Sequence, residues 1–341
     1  MKAIPINKAG EANSLKIANW PAPKIQADEI LIKVKAFGIN YADIMARKGI
    51  YGDAPPMPFI PGYEASGIIE KIGSKVSNFK VGQKVFALLD FGGYAEYVKA
   101  KELMCFPMPE NLSFTECASI PVNFVTAYHA LYNTGLFLEG SKVLIHAAAG
   151  GVGLSAIQLA KLNNCEIFGT AGSDKKIELL KEWGVQYPIN YSNTDFETEI
   201  KKITQNKGVD IILDSIGGNY IKKGLNILAP HGRVVAFGAS SLSERANPLK
   251  MIKLLPEVLS MFAINSIPML MGSKGLYGVN MKALGEKPEI IKLSMDKIME
   301  LFKEEKLKTV ISKVYPWEEI AQAHKDLESR ISTGKLVLEI L

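Results

Sequence analysis

The stretch best suited to chemistry is Ala148-Ala149-Gly150-Gly151-Val152-Gly153. It follows the apolar run Val143-Leu144-Ile145, which reads as a buried parallel strand. It leads into a segment whose Leu154, Ile157 and Leu159 mark an apolar helical face. A strand, a glycine turn and a helix form a cradle for a dinucleotide pyrophosphate. The first N–H groups of such a helix have no partner within it and point at the phosphates. Glycine lets the backbone approach without a Cβ in the way. The spacing is A-x-G-x-x-G, with Ala148 in the first place, and Ala149, Gly150, Gly151 and Val152 are the expected phosphate contacts.

The choice of dinucleotide falls to the end of the next strand, Glu166–Thr170. An NAD enzyme places Asp or Glu about 20 residues beyond the glycine turn, where it holds the ribose hydroxyls. Here the position carries Ala171-Gly172-Ser173, followed by Lys175 and Lys176, and Tyr191 closes the third strand. An acid would repel a 2′-phosphate, whereas a small hydroxyl residue and a lysine accept it through charge-assisted bonds. NADPH is therefore the expected cofactor. The rival is Asp174, which could reach the ribose and select NAD.

The other reactive residue types make weaker cases. His129, His231 and His324 have no suitable neighbours in sequence, and His146 closes the first strand as a core or cofactor-side group. No Ser-His-Asp order suggests hydrolysis. Cys105, Cys117 and Cys165 lie far apart without CxxC spacing and read as buried thiols in a reducing compartment.

These groups must be held by about two domains, given 341 residues. Residues 1–123 read as β-rich. Glu29–Ala36 largely alternates apolar and polar, and Gly67–Gly73, Gly82–Leu88 and Gly92–Val98 supply further strands and turns of a small barrel. From 124 to 281 strands and helices alternate. Strands fit Lys142–Ala147, Glu166–Thr170, Tyr187–Asn190, Val209–Asp214, Arg233–Gly238 and Leu276–Asn280, which describes a doubly wound parallel sheet. Helices fit Lys175–Trp183 and Phe196–Gln205. The tail, 282–341, carries an amphipathic helix at Pro288–Glu305, a strand at Val310–Val314, a helix at Trp317–Ser329 and a closing strand from Lys335. The long connection Pro248–Ser273 bears Met251, Met261, Met269 and Met271. It reads as a helical cover or subunit contact, with a substrate wall or membrane-surface patch as alternatives.

Composition bounds the partners. The chain is 48% hydrophobic and 22% charged, with a net charge of +5. That suits a globular protein and makes no case for nucleic acid. Met1-Lys-Ala-Ile-Pro-Ile lacks the apolar core of a signal peptide. Lys250, Lys253, Pro256, Glu257 and Pro268 interrupt the most hydrophobic region, so no stable membrane insertion is expected. A cytoplasmic location is expected.

Six motifs, the glycine turn among them, stand in order along the chain: Gly38-Ile-Asn-Tyr-Ala-Asp43, Arg47-Lys-Gly-Ile-Tyr51, Pro61-Gly-Tyr-Glu64, Asn123-Phe-Val-Thr-Ala-Tyr128, the glycine turn, and Gly334-Lys-Leu-Val337. Together they resemble the medium-chain dehydrogenase/reductase superfamily over the whole length. The nearest group is similar to the zinc-free, zeta-crystallin-like quinone oxidoreductases. Within it, Met45–Tyr51 and Gly208–Gly218 resemble the branch containing the synaptic vesicle membrane protein homologues. The resemblance implies a GroES-like catalytic domain, 1–123 completed by 282–341, and a Rossmann NADP-binding domain, 124–281.

The same resemblance bears on metal. Zinc alcohol dehydrogenases of the superfamily carry a ligating Cys where this chain has Asn40, and a His where it has Tyr63. Amide and phenol are poor replacements for thiolate and imidazole on zinc. The four cysteines of a structural zinc lobe are also missing, with Cys105 alone near that stretch. No metal site is expected, which argues against alcohol oxidation through a metal-bound alkoxide.

It also implies cofactor contacts. Lys176 and Tyr191 match the family's phosphate-binding lysine and tyrosine. Asn123 and Thr126 match the segment beside the nicotinamide. Ser215, Phe237 and Gly238 end the fourth and fifth strands, and Val279 and Met281 end the sixth. Phe237 and Val279 could instead belong to the core. Lys335 matches a lysine that reaches the cofactor from the tail.

The implied reaction is hydride transfer from NADPH to a quinone or related conjugated carbonyl. The oxyanion or enolate so formed needs hydrogen-bond donors. Asn40, by its amide, and Tyr51, by its hydroxyl, are the catalytic candidates. Tyr51 matches the proton-donor tyrosine of related enoyl thioester reductases, with a packing role as its alternative. Some quinone reductases of the group have a second tyrosine where this chain has Met45. Asp43 reads as structural, and Arg47 as an anion contact or a surface pair. An enoyl or alkenal double-bond reductase is the enzymatic alternative. A nucleotide-binding protein without turnover at a membrane surface is the alternative of another class. A homodimer through sixth-strand edges is the family's implication.

Overall fold

The computed structural model describes residues 1–241 and 266–340. They form two compact units. One comprises Met1–Val125, Lys282–Glu300 and Lys308–Leu341; the other comprises Thr126–Met281 and Leu301–Leu307.

The second unit is built on a six-stranded parallel sheet in the order Tyr187–Asn190, Glu166–Ala171, Lys142–Ile145, Val209–Asp214, Leu228–Ala236, Gly275–Gly278. All five pairings are parallel. The chain runs outward from Lys142–Ile145 for two strands and then returns to its other side. The order therefore reverses between Lys142–Ile145 and Val209–Asp214, and in such sheets ligands bind at the carboxyl ends beside that reversal. The strands are apolar because both faces are covered: Leu144, Phe168, Ile212 and Val234 share one core with Ile189, Phe196 and Ile200.

Two of the strands expected from the sequence, Tyr187–Asn190 and Val209–Asp214, have those bounds. The first strand ends at Ile145, before the expected Ala147, because Ala147 takes a left-handed conformation with φ +50°. The fifth begins at Leu228 rather than Arg233, carries a register shift between the Val209–Leu228 and Ile211–Arg233 pairs, and ends at Ala236. Of the connection Pro248–Ser273, residues 248–265, with Met251 and Met261, lie outside the described residues. The part that follows is the helix Ser266–Met271, on which Ile267, Leu270 and Met271 are exposed.

The first unit is organised on the eleven-residue strand Glu29–Ile39. It pairs antiparallel with Glu64–Ile72, Tyr97–Lys101 and the tail strand Lys335–Glu339. Register shifts at Leu31/Ile32 and Val34/Ala36 mark bulges, which bend a strand and strengthen its twist. Lys84–Leu88 and Cys105–Pro107 extend the sheet on one side and Ile311–Pro316 on the other. Ile30, Ile32, Phe37, Val85, Tyr94, Tyr315 and Leu336 lie in one buried cluster, so the tail completes the core begun by the first third of the chain. The tail's amphipathic helix is Pro288–Lys303, and its second helical stretch is a 3-10 turn, Trp317–Glu319, leading into Ile320–Glu328.

Candidate functional site

In the second unit the glycine turn makes a helix start without a side-chain N-cap. Gly150 is the residue before the helix Gly151–Leu162, and as a glycine it offers no side chain to cap that helix's first N–H groups. Gly150 N–H closes the turn onto the Ala147 carbonyl at 2.9 Å. A Cβ on Gly153 would lie 2.4 Å from the Ala148 carbonyl oxygen, so helix and strand approach as closely as they do only with glycine there. The Gly150 N–H is thus spent on the turn, and Ala149, Gly151 and Val152 stand beside it at the helix start, where donor N–H groups suit an anion.

The end of the second strand brings four more candidates into one turn. A Cβ on Gly172 would meet the Tyr191 hydroxyl at 2.4 Å, so the Tyr191 phenol lies over Gly172. Tyr191 N–H donates to the Ala171 carbonyl at 3.0 Å. Ser173 precedes the helix Asp174–Glu182 without capping it, and Lys176 N–H donates to the Ser173 carbonyl in its first turn. Asp174 is engaged: its Oδ1 accepts from Asn190 Nδ2 at 2.7 Å.

At the carboxyl ends of the fourth and fifth strands, Gly238 lies against Ser215, and a Cβ there would be 2.6 Å from the Ser215 carbonyl oxygen. Phe237 N–H donates to the Asp214 carbonyl, and the Phe237 ring is half-buried. Val279 is buried and donates from its N–H to the Ala236 carbonyl; Met281 opens the short helix Met281–Gly285. Asp214 is buried too. Its Oδ1 accepts from the N–H groups of Ile216 and Gly217, Oδ2 has no partner, and burial holds the carboxyl up at about 6. His146 accepts or donates at Nδ1 with the Thr170 hydroxyl, 3.0 Å away, while its buried Nε2 has no partner. Burial keeps it neutral, with its pKa down at about 3.

The helix Pro121–Tyr128 carries Asn123 and Thr126. The Thr126 hydroxyl is buried and has no hydrogen-bond partner, and Asn123 Nδ2 donates to the Ser119 carbonyl at 3.2 Å. An uncapped helix start, a glycine beneath a phenol and a buried unpaired hydroxyl fit a phosphorylated dinucleotide. When bound, such a cofactor supplies a hydride from its nicotinamide.

The first unit holds the catalytic candidates. Asn40 precedes the helix Tyr41–Arg47, and its N–H donates to Asp43 Oδ2 at 2.8 Å. Its side chain is fully engaged at one end and half at the other: Oδ1 accepts from Lys335 Nζ at 2.5 Å, and Nδ2 donates to Glu64 Oε1 at 2.9 Å. Glu64 also pairs with Lys335, and its Oε2 accepts from Val122 N–H at 2.9 Å. Both charges are buried. Gly38 makes room for them, since a Cβ there would lie 2.5 Å from Glu64 and 2.6 Å from Lys335. Lys335, expected at the cofactor, is thus bound to Glu64 and Asn40. Glu64 has no role predicted from sequence; a buried acid in a Pro-Gly-x-Glu turn is the signal that points to it.

Tyr51 is half-buried and meets Tyr63 edge-on, with ring centroids 6.2 Å apart. Burial pushes both phenols up, so both are neutral at ordinary pH. The donors at this end are therefore an engaged amide, a neutral phenol and a carboxylate already paired with lysine, a set that does not fit zinc.

Asp43 is structural, as expected. Its Oδ1 accepts from Gly62 N–H at 3.1 Å, and burial holds it up at about 7. Arg47 is neither an anion contact nor a surface pair. It is fully buried, donating from Nε to the Gly10 carbonyl and from a terminal nitrogen to Glu328 at 2.7 Å. Its other terminal nitrogen lies 3.3 Å from His324 Nδ1, and His324 Nε2 lies 3.1 Å from the Tyr94 hydroxyl. Burial, then Arg47, hold His324 down at about 3. A neutral imidazole accepting at Nδ1 must donate from Nε2 to Tyr94. His324, without a sequence neighbour, has these partners only in the fold.

Comparison with known proteins agrees with this architecture. The family described as alcohol dehydrogenase GroES-like domain matches residues 26–110, and that described as zinc-binding dehydrogenase matches residues 151–272. The chain belongs to the medium-chain dehydrogenase/reductase superfamily, and is an oxidoreductase by family. Within it, the chain is 34% identical to the human synaptic vesicle membrane protein VAT-1 homolog over 99% of its own length and 86% of that protein. It is 36% identical to the zebrafish (Danio rerio) homolog over 93% of its length, spanning 65% of that relative. Among solved structures, the Escherichia coli quinone oxidoreductase complexed with NADPH superposes with a TM-score of 0.85 at 28% identity, covering 99% of this chain and 100% of that one. The CurK enoyl reductase does so with a TM-score of 0.84 at 28% identity, covering 100% and 99%. Among the described residues no cluster of His, Cys, Asp and Glu suits a metal, and no helix is long and apolar enough to cross a membrane.

Proposed function

We propose that this protein is an NADPH-dependent reductase that passes hydride to a quinone or related conjugated carbonyl without a metal. The observation that carries the reading is the turn of Gly172, Ser173, Lys176 and Tyr191, with Asp174 held by Asn190. A 2′-phosphate finds an uncapped helix start, a hydroxyl, a phenol and a lysine there, and Asp174 is engaged by Asn190. Ala149 to Val152 hold the pyrophosphate. Thr126, with its unpaired hydroxyl, and Asn123 bind the nicotinamide end; Ser215, Phe237, Gly238, Val279 and Met281 flank it.

The residues of the first unit serve the acceptor. Asn40 keeps one amide N–H beyond the bond to Glu64, and this N–H steadies the acceptor's oxygen as charge develops. Glu64 and Lys335 fix the orientation of that amide. Tyr51, a neutral phenol, returns a proton to the oxyanion or enolate. Lys335 thus acts on the acceptor side through Asn40 and Glu64 rather than by its own charge at the cofactor.

A second reading is favoured by the likeness to the CurK enoyl reductase: hydride addition to the carbon of an enoyl or alkenal double bond. Stopped-flow loss of NADPH absorbance, measured with a quinone panel and an enal panel, separates the two. The proposal expects faster turnover of quinones. Enals faster by orders of magnitude would replace it with the second reading.

A further inference from the structure

The Tyr63 hydroxyl is buried and has no hydrogen-bond partner. The residue is 8% exposed. Its ring packs against Phe91, with centroids 4.9 Å apart, and against the edge of Tyr51. Its backbone is fixed on both sides. Leu89 N–H donates to the Tyr63 carbonyl at 2.7 Å, and Gly62 holds φ +103°, where a Cβ would lie 2.6 Å from the Tyr94 ring. A phenylalanine would make the same ring contacts without burying an unpaired polar atom, which always costs stability. The polar group this oxygen meets is the Tyr51 phenol, and their interaction is too weakly aligned to satisfy it as a full hydrogen bond.

We propose that Tyr63 is a positioning residue of the reduction, donating a hydrogen bond to Tyr51 when Tyr51 becomes a phenolate. This deepens, and rests on, the reductase reading. The reduced acceptor carries an oxyanion or enolate. Tyr51 gives its hydroxyl proton to that oxygen: the Tyr51 O–H bond breaks, an O–H bond forms on the product, and the negative charge passes to the Tyr51 oxygen. The Tyr63 O–H steadies that charge until a solvent proton restores Tyr51. The balance is acceptor, NADPH and one proton in, reduced acceptor and NADP+ out.

The surroundings explain why Tyr51 needs this help. Burial disfavours its phenolate most; hydrogen bonding to the Tyr63 hydroxyl favours it, and the charges of Asp53, Asp43 and Asp90 disfavour it further. The influence runs one way: burial above all, with Asp43, Tyr51 and Asp90 adding to it, keeps the Tyr63 phenol protonated, and so a donor. Asp43 in turn is bonded by the N–H groups of Asn40 and Gly62 and faces Tyr94, Lys335 and Glu64.

The test is Tyr63→Phe in the full-length protein, alone and with Tyr51→Phe. Expected is a kcat lower by about tenfold to a hundredfold, the value of one hydrogen bond to a charged group, with KM and NADPH affinity within about twofold. The solvent isotope effect on kcat should rise, because proton delivery becomes slower. Thermal stability should hold or increase, since the removed atom had no partner. In the Tyr51→Phe background the second substitution should cost nothing more. An unchanged kcat, additive losses, or a fall in melting temperature that accounts for the loss would overturn the inference. A parent that reduces no acceptor ends the reductase reading and this inference together, whereas an active parent with a silent Tyr63→Phe ends the inference alone.

Discussion

Asn190 holds Asp174: its side-chain amide donates to the carboxylate at 2.7 Å. Asp174, the acid that follows the Gly172 turn, is thereby held by the third strand of its own sheet. On the proposed reading this relationship favours NADPH over NADH. Lys176→Ala should weaken NADPH about tenfold to a hundredfold while changing NADH less than about twofold, as loss of a charge-assisted phosphate contact requires. Titrating both nucleotides against tryptophan fluorescence checks it, and equal losses would remove Lys176 from the phosphate. Asn190→Ala releases Asp174, and should move the same ratio toward NADH.

Glu64 and Lys335 should behave as one unit. Removing either partner leaves a buried charge alone, which costs about 3–5 kcal/mol. Glu64→Gln and Lys335→Met should each lose stability on that scale in denaturant unfolding. The double variant should lose much less than the sum, because no unpaired charge remains. Simple additivity would mean that the pair does not act as a couple. Gly38→Ala, which places a Cβ against both side chains, should mimic the single losses.

The pH dependence of stability has opposing parts. Burial holds Asp43 up at about 7 against an ordinary value of 3.8, and Asp214 at about 6. Between those values the folded protein keeps protons that the unfolded chain has released. Their contribution is full below about pH 4 and is lost as the pH rises toward 7. His146 and His324 are held down at about 3 against 6.5, so the unfolded chain binds protons first as the pH falls below that value, and stability is lost toward pH 3. Asp43→Asn removes one of the rising-pH losses. In thermal melts from about pH 4 to pH 7, the parent's advantage over this variant should shrink as the pH rises. A constant difference would show Asp43 ionised throughout.

Much of the second unit was legible because its signals are local. Val143-Leu144-Ile145, the glycine turn and the Leu154 helix face lie within a dozen or so residues, and the strands Tyr187–Asn190 and Val209–Asp214 carry their own apolar runs. The strand at Leu228–Ala236 was harder, since Pro230 and His231 at its start disguise it. The first unit hides its logic in distance. Arg47 looks like a surface cation until Glu328 and His324, more than 270 positions away, close over it. Glu64 and Tyr63 are adjacent in one motif, yet one meets Lys335 from the tail and the other meets Tyr51. Side chains bound by the fold leave no periodicity to read.

The account stands most directly on one stopped-flow measurement. Protein stripped of metal by a chelator is loaded with NADPH and mixed with a quinone. The account predicts loss of NADPH absorbance at the same rate with and without the chelator, and a slower rate in Tyr51→Phe. No loss of absorbance with any quinone or enal, or turnover that appears only on adding zinc, would contradict it.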